Sequence, residues 1–310
     1  MAIQKEIWLS TIKEKLFAGV DFVRFSESHD AFVDNKTVHI PQAGALPDVS
    51  KNRSVFPATI SQRTDTDNTY DLSEFTTDPI LMRDIEELQV NYNKRQSILN
   101  HHIRTLNNRL ALEALYNWAG TGLTSASGQI ILTTGTGTST IAPPGGTSAV
   151  KGVLLADIAN AAAKLDEDDV PMENRYMVMP SKVYWNFVEV NKAQLLNLDY
   201  NKSLTNQDIA TGIVAKVYGF NIIPRSYTIV YADAATPTRK AVGAATATTD
   251  CWGIVGWQQD CVAKALGDIK IYVNEDQAAY YGSIFSAAVM FGCVQGRSDG
   301  KGIVTLVQDI

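Results

Sequence analysis

DIEELQVNYNKRQSILNHHIRTLNNRLALEALYNW, residues 84–118, is the stretch on which the fold turns. Ile85, Leu88, Tyr92, Leu99, Ile103, Leu106, Leu110 and Ala114 recur at steps of three, four or seven, one apolar stripe at helical period. Asp84 followed by Glu87 reads as a capping box, and Gly120 and Gly122 mark the end. The spacing predicts one helix from Asp84 to Trp118. At 1.5 Å per residue it reaches roughly 45–50 Å, longer than a small domain is wide. An extended polar stretch precedes it and a Gly/Thr-rich loop follows. A long helix between extended arms suggests a subunit built to reach its neighbours.

The bulk composition narrows the class. Hydrophobic residues make up 45% and charged residues 19%, as in a globular chain with a real core. The net charge of −6 argues against a dedicated nucleic-acid binder, which carries a basic surplus. The cysteines are Cys251, Cys261 and Cys293, an odd count with no two at a two-residue ligand spacing. That points to a reduced intracellular compartment and away from a disulfide framework or a zinc site. The first residues, MAIQKEIWLSTIKEKLF, carry charges throughout and lack the apolar stretch of a secretory signal. No apolar run approaches membrane-spanning length.

Outward from the long helix, the pattern is α+β with helices and strands interspersed. Trp8, Ile12, Leu16 and Phe17 fall near helical spacing, either a helix on its own core or an arm that docks on another subunit. Residues 36–41, KTVHIP, read as a short strand. Residues 51–83 favour strands but hold too few apolar residues to fill a core, and the all-polar run Arg63–Thr69 reads as a hairpin tip. The Gly/Thr run 133–139 and the prolines 143–144 read as a flexible surface loop. A second helix is expected over 152–166, a buried strand over Arg175–Pro180, and a helix capped by Ser181. Gln207–Val214 reads as helical, Val217–Pro224 as a strand bent at Gly219, and 232–249 as a loop or weak hairpin. The stretch from Cys251 reads as mostly strands, with a short helix possible near Gln277–Ser283.

No pattern of catalytic residues emerges. The acidic run Asp166–Asp169 sits between a helix and a proline, a solvated turn rather than a metal or acid–base site. His101 and His102 are adjacent and point about 100° apart on a helix, whereas a metal pair wants three or four residues between them. They read as solvated or interface histidines. The Gly-rich loop lacks the Gly-Lys-Ser/Thr of a phosphate cradle. No cofactor or metal is expected.

At this point the chain resembles a known family, the major capsid proteins of tailed bacteriophages, whose shell fold is shared with herpesvirus capsid floors and encapsulins. Lys5-Glu6-Ile7-Trp8 and Lys36–Pro41 resemble its N-terminal arm and following strand, 51–83 its extended loop, and Asp84–Trp118 its spine helix. The most specific run, Leu165-Asp166, Val170-Pro171, Arg175, Val178 and Pro180, resembles the opening of its axial domain. Gly212–Ser226 resembles a strand and bend of that domain, and Gly282–Leu306 the closing strands of the peripheral domain.

The resemblance implies an arm (1–35), an extended β-hairpin loop with its base (36–83), a peripheral domain with the spine helix (84–150), an axial domain (151–268) and closing peripheral strands (269–310). It implies a structural subunit that self-assembles into hexamers and pentamers around packaged double-stranded DNA. Alternatives are an encapsulin-type cargo shell or a soluble enzyme with an unrecognised site. Subunit-interface candidates are Trp8, Ile12, Leu16, Phe17, Arg53, Arg63, Asp65, Asp67, Tyr70, Arg297, Asp299 and Lys301. Implied partners are other copies of the chain, a scaffolding protein, a portal, a decoration protein and, non-specifically, DNA. The family-like arm begins almost at Met1, so a separate scaffolding protein and no maturation cleavage are expected. Some relatives lock their shells with a lysine–asparagine bond from the loop. Asn52–Asn93 holds no lysine, so a non-covalent shell is expected, its loop held by Arg63, Asp65 and Asp67 against opposite charges on a neighbour.

Overall fold

The computed structural model describes residues 22–33, 36–44, 49–54, 56–57, 60, 62–83, 94–124, 128–197, 215–232 and 237–310. Trp8, Ile12, Leu16, Phe17, the Asp84/Glu87 cap, Ile85, Leu88, Tyr92 and Gln207–Val214 lie outside the described residues.

The fold is built around one strand, Asp250–Gln258, in which all nine residues are buried. Its middle, residues 251–257, is a continuous run without charge, which suits a strand covered on both faces. One edge pairs antiparallel with Ile303–Val307. The other pairs first with Ile229–Ala232 and then with Arg175–Pro180. Parallel to Arg175–Pro180 runs Phe220–Arg225, which turns back through Tyr218 and Gly219 onto Ala215–Val217. Both turn residues have positive φ, 47° and 82°, the geometry of a tight two-residue hairpin. The bend expected at Gly219 is therefore a strand reversal.

A second sheet centres on a long hairpin, Val262–Gln277 against Gly282–Gln295. Ser73–Thr76 and Ile80–Arg83 continue it on the outer edge of Gly282–Gln295. Glu27–Ser28 adds in parallel at Ala263–Lys264. The short helix possible near Gln277–Ser283 does not form; the chain there is the hairpin turn, with the Tyr280 and Tyr281 amides both bonded to the Gln277 carbonyl.

Helix α1, Lys94–Trp118, packs along Gly282–Gln295. The described part of its stripe (Leu99, Ile103, Leu106, Leu110 and Ala114) is buried. Helix α2, Leu155–Glu167, and helix α3, Ser181–Asn197, cover the first sheet. Ser181 is the first residue of α3 rather than a residue ahead of it.

The Gly/Thr run is anchored, not free. Asp157, with no solvent exposure, accepts from the Thr134 hydroxyl at 2.7 Å and the Leu154 amide at 2.9 Å. A carboxylate in the first turn of α2 also faces the positive end of the helix dipole.

The two sheets share one core. Its joint is aromatic: Phe22 meets Trp118 edge-on at 6.0 Å and Trp257 at 5.7 Å, and the two tryptophans lie 5.4 Å apart. Residues from the N-terminal segment, the end of α1 and the central strand are thereby fixed to one another.

Candidate subunit interfaces

The feature with least support from its own core is a two-stranded ribbon, Thr37–Gln42 against Thr66–Asp71. Thr66–Thr69, expected at a hairpin tip, instead form the returning strand; the tip lies between residues 43 and 65. Only the ribbon's base is buried, where Val38 and Tyr70 pack with Leu72 and Ala265. Tyr70, expected at a subunit interface, is thus interior to the single chain. Its hydroxyl lies 3.4 Å from His29 Nδ1, and burial pushes its phenol well above the usual range.

Further out, the ribbon satisfies its charges internally. His39 Nδ1 sits 2.5 Å from Asp67, and Arg63 Nε lies 2.6 Å from Asp65. The Arg63 guanidinium, followed by the Gly44 amide, holds the Asp65 carboxyl below the usual carboxylate range. Arg53 is exposed, and its guanidinium lies 3.4 Å from the Ser50 hydroxyl. Lys51, just ahead of the lysine-free stretch, is also exposed on this loop. Among the described residues of this loop, three apolar side chains are uncovered: Val49 at 96%, Phe56 at 76% and Ile60 at 95% exposure. No helical or strand periodicity joins the three in the sequence.

Side-chain amides bolt the ribbon to the body. Gln42 Nε2 donates to the Gly296 carbonyl at 2.9 Å, and Gln42 Oε1 accepts from the Ser298 hydroxyl at 2.8 Å. Asn68 Nδ2 donates to the Gln295 carbonyl at 3.1 Å. The Gln295 side chain in turn donates to the Trp118 and Ala119 carbonyls at 3.3 and 3.1 Å, at the end of α1. Ribbon, closing turn and helix terminus are one hydrogen-bonded unit. No motif announces these amides; isolated Gln and Asn carry no sequence signal.

The closing turn holds Arg297, Asp299 and Lys301. Arg297 is bidentate on Asp299, at 3.0 and 2.6 Å, which lowers the Asp299 carboxyl and raises the guanidinium. The Lys301 amide adds a bond to Asp299 Oδ1 at 3.2 Å. Gly302 has φ of 86°, and a Cβ there would run into Cys261 Sγ. The structure thus brings Arg63, Asp65 and Asp67 together on the ribbon and Arg297, Asp299 and Lys301 together on the turn.

Among the described residues no cluster of three metal-ligating side chains occurs, and no helix is long and apolar enough to cross a membrane. Asp166 binds Arg175 and Asp168 binds Lys164, so part of the acidic run is structural. His101 is exposed, as expected of a solvated histidine, but His102 is buried.

No protein-family model and no curated protein matches the sequence. Solved structures do. The capsid of cyanophage P-SCSP1u superposes with a TM-score of 0.62 at 15% identity, over 91% of this chain and 86% of that one. A Mycobacterium phage Che8 structure gives 0.58 at 16% identity, over 93% and 90%. A virus-like particle from Pyrococcus furiosus gives 0.56 at 10% identity, over 98% and 99%. The chain has the α+β fold of the tailed-phage major capsid proteins.

Proposed function

We propose that the chain is the structural subunit of a closed icosahedral virion shell that assembles into hexamers and pentamers around packaged double-stranded DNA. One observation carries the reading. The ribbon's tip exposes Val49, Phe56 and Ile60, while its nearby charges Arg63, Asp65 and Asp67 are paired within the chain. Such a projection is marginal alone and gains its apolar burial from a second copy. The ribbon's ion pairs are exposed and worth at most about 1 kcal/mol each, so apolar contact at the tip carries more of the docking. Arg53, Arg297, Asp299 and Lys301 form the polar rim, and Trp8, Ile12, Leu16 and Phe17 form a second, apolar contact through the arm. Phage-like partners follow from the reading: scaffolding protein, portal and decoration protein, with assembly in the host cytoplasm and residence in the virion. The protein has no turnover. With a net charge of −6, it confines DNA rather than gripping it, and isolated subunits bind DNA negligibly at physiological salt.

Sedimentation of the full chain tests the docking. Ile60→Asp and Phe56→Asp should leave the subunit folded yet halt assembly, and removing residues 1–17 should impair it. Normal particles from all three variants overturn docking through the ribbon tip and the arm, and variants and wild type alike failing to form particles overturn the shell reading. A cargo shell is the second reading, favoured by the near-complete coverage in both directions of the Pyrococcus furiosus particle. DNA in particles from the source supports the first, and enclosed protein the second.

A further inference from the structure

His102 lies on α1 with 5% exposure, and its Nε2 is buried without a hydrogen-bond partner among the described residues. It borders two spaces. One is a void of about 10 Å³ lined by Ile98, Leu99, Ile271, Phe285, Ser286 and Ala287. That volume is at the lower limit for one water molecule, and the walls are too apolar to hold one. The other is an open cleft of about 680 Å³ between α1 and the segment Glu74–Ile80.

We propose that His102 is an acid-sensitive latch between α1 and the long hairpin. Neutral, the imidazole stays packed against Phe285 and Ala287. Charged, it swings into the cleft toward Glu74 and Asp78 and loosens the helix from the sheet. The inference does not depend on the shell reading.

The surroundings decide the direction. From Val262–Gln277, only Ile271 faces the histidine; Lys270 and Tyr272 are exposed, on the strand's opposite face. From Gly282–Gln295, the neighbours are Phe285, Ser286 and Ala287, none of them titratable. On α1 itself, His101 precedes it and Arg109 lines the same cleft; both oppose a second positive charge. The acids that face it, among the described residues, are Glu74 and Asp78 across the cleft. An imidazolium in the buried position has no Nε2 acceptor among the described residues and loses its hydration. Burial first, and His101 second, lower the His102 pKa.

The sign follows. The folded state binds this proton less well than the unfolded chain, so stability is full above the ordinary histidine value of about 6.5 and falls as pH drops below it. For each unit by which the folded value is lowered, unfolding becomes about tenfold more favourable once pH is below both values.

Urea unfolding of the full chain, taken from about pH 7.5 to about pH 5.5 across the histidine range, tests the latch. The wild type should lose stability over this window, and His102→Leu should lose markedly less. Equal losses overturn the proposal. Glu74→Gln with Asp78→Asn should deepen the wild-type loss, and an unchanged loss contradicts the swing into the cleft. If His102→Leu fails to fold, deuterium uptake at the imidazole C2 position reads the wild-type titration directly. A value below that of the unfolded chain supports the latch; an equal or higher one overturns it.

Discussion

The guanidinium of Arg175 donates to Asp166 Oδ1 at 2.7 Å from a position with no solvent exposure, while the Asp166 side chain is half exposed. Arg175 also donates to the Val170 and Pro171 carbonyls at 2.5 and 2.9 Å. One side chain thus ties the end of α2, the turn and the first residue of the strand Arg175–Pro180. The spacing of Asp166, Val170-Pro171 and Arg175 in the sequence has this physical cause.

Arg175→Met should therefore cost about 3 kcal/mol, because it leaves a carboxylate and two carbonyls without their donor. Asp166→Asn keeps an acceptor in place and should cost only about 1 kcal/mol, since the carboxylate is part-solvated. Urea unfolding measures both. Equal and small effects, below about 0.5 kcal/mol, would show that the turn holds without the guanidinium.

Phe22 is the first described residue of the chain and is fully buried between Trp118 and Trp257. Phe22→Ala should cost about 3–5 kcal/mol, the usual range for emptying an aromatic core site. It should also shift the tryptophan fluorescence, because two indoles gain a void. Wild-type stability with an unchanged spectrum would mean that the N-terminal segment is not part of the core.

The amides of Gln42 and Asn68 should govern the ribbon's attachment without governing the fold. In the double variant Gln42→Ala/Asn68→Ala, hydrogen exchange should rise across Thr37–Gln42 and Thr66–Asp71 and stay unchanged in Asp250–Gln258. Each lost bond is worth about 1 kcal/mol, so the effect is local opening rather than unfolding. Uniform acceleration across all three strands would contradict the separation.

The shell should be non-covalent. Asn52–Asn93 carries no lysine, and Lys51 on the loop is exposed, lacking the desolvation that makes a lysine amine nucleophilic. Particles boiled in detergent under reducing conditions should run as one band at the monomer mass. A ladder of multimers would place a bond at Lys51 or another lysine.

Elements that meet the core along a stripe or a whole strand were legible in the sequence. The helical stripe from Leu99 to Ala114 and the continuous buried run Arg175–Pro180 each stand where the sequence pattern put them. The ribbon was legible as extended but not in its pairing. Thr66–Asp71 is solvated on both faces for most of its length, so no alternation marks its register or its partner. The burial of Tyr70 hid for the same reason: beside its near neighbour Leu72, it packs on Val38 and Ala265, distant in sequence. The turn at Tyr218-Gly219 hid because only a positive φ at both residues separates a reversal from a bend. Long-range amides such as Gln42–Gly296 carry no local pattern at all. The packing of His102, read as a solvated or interface histidine, was hidden because its neighbours on the hairpin lie far along the chain.

Electron microscopy of the purified full-length protein tests the central claim most directly. The account predicts closed particles of icosahedral symmetry, built of five- and six-membered rings of the chain. A single small oligomer, or monomers alone, across a range of protein and salt concentrations would contradict it.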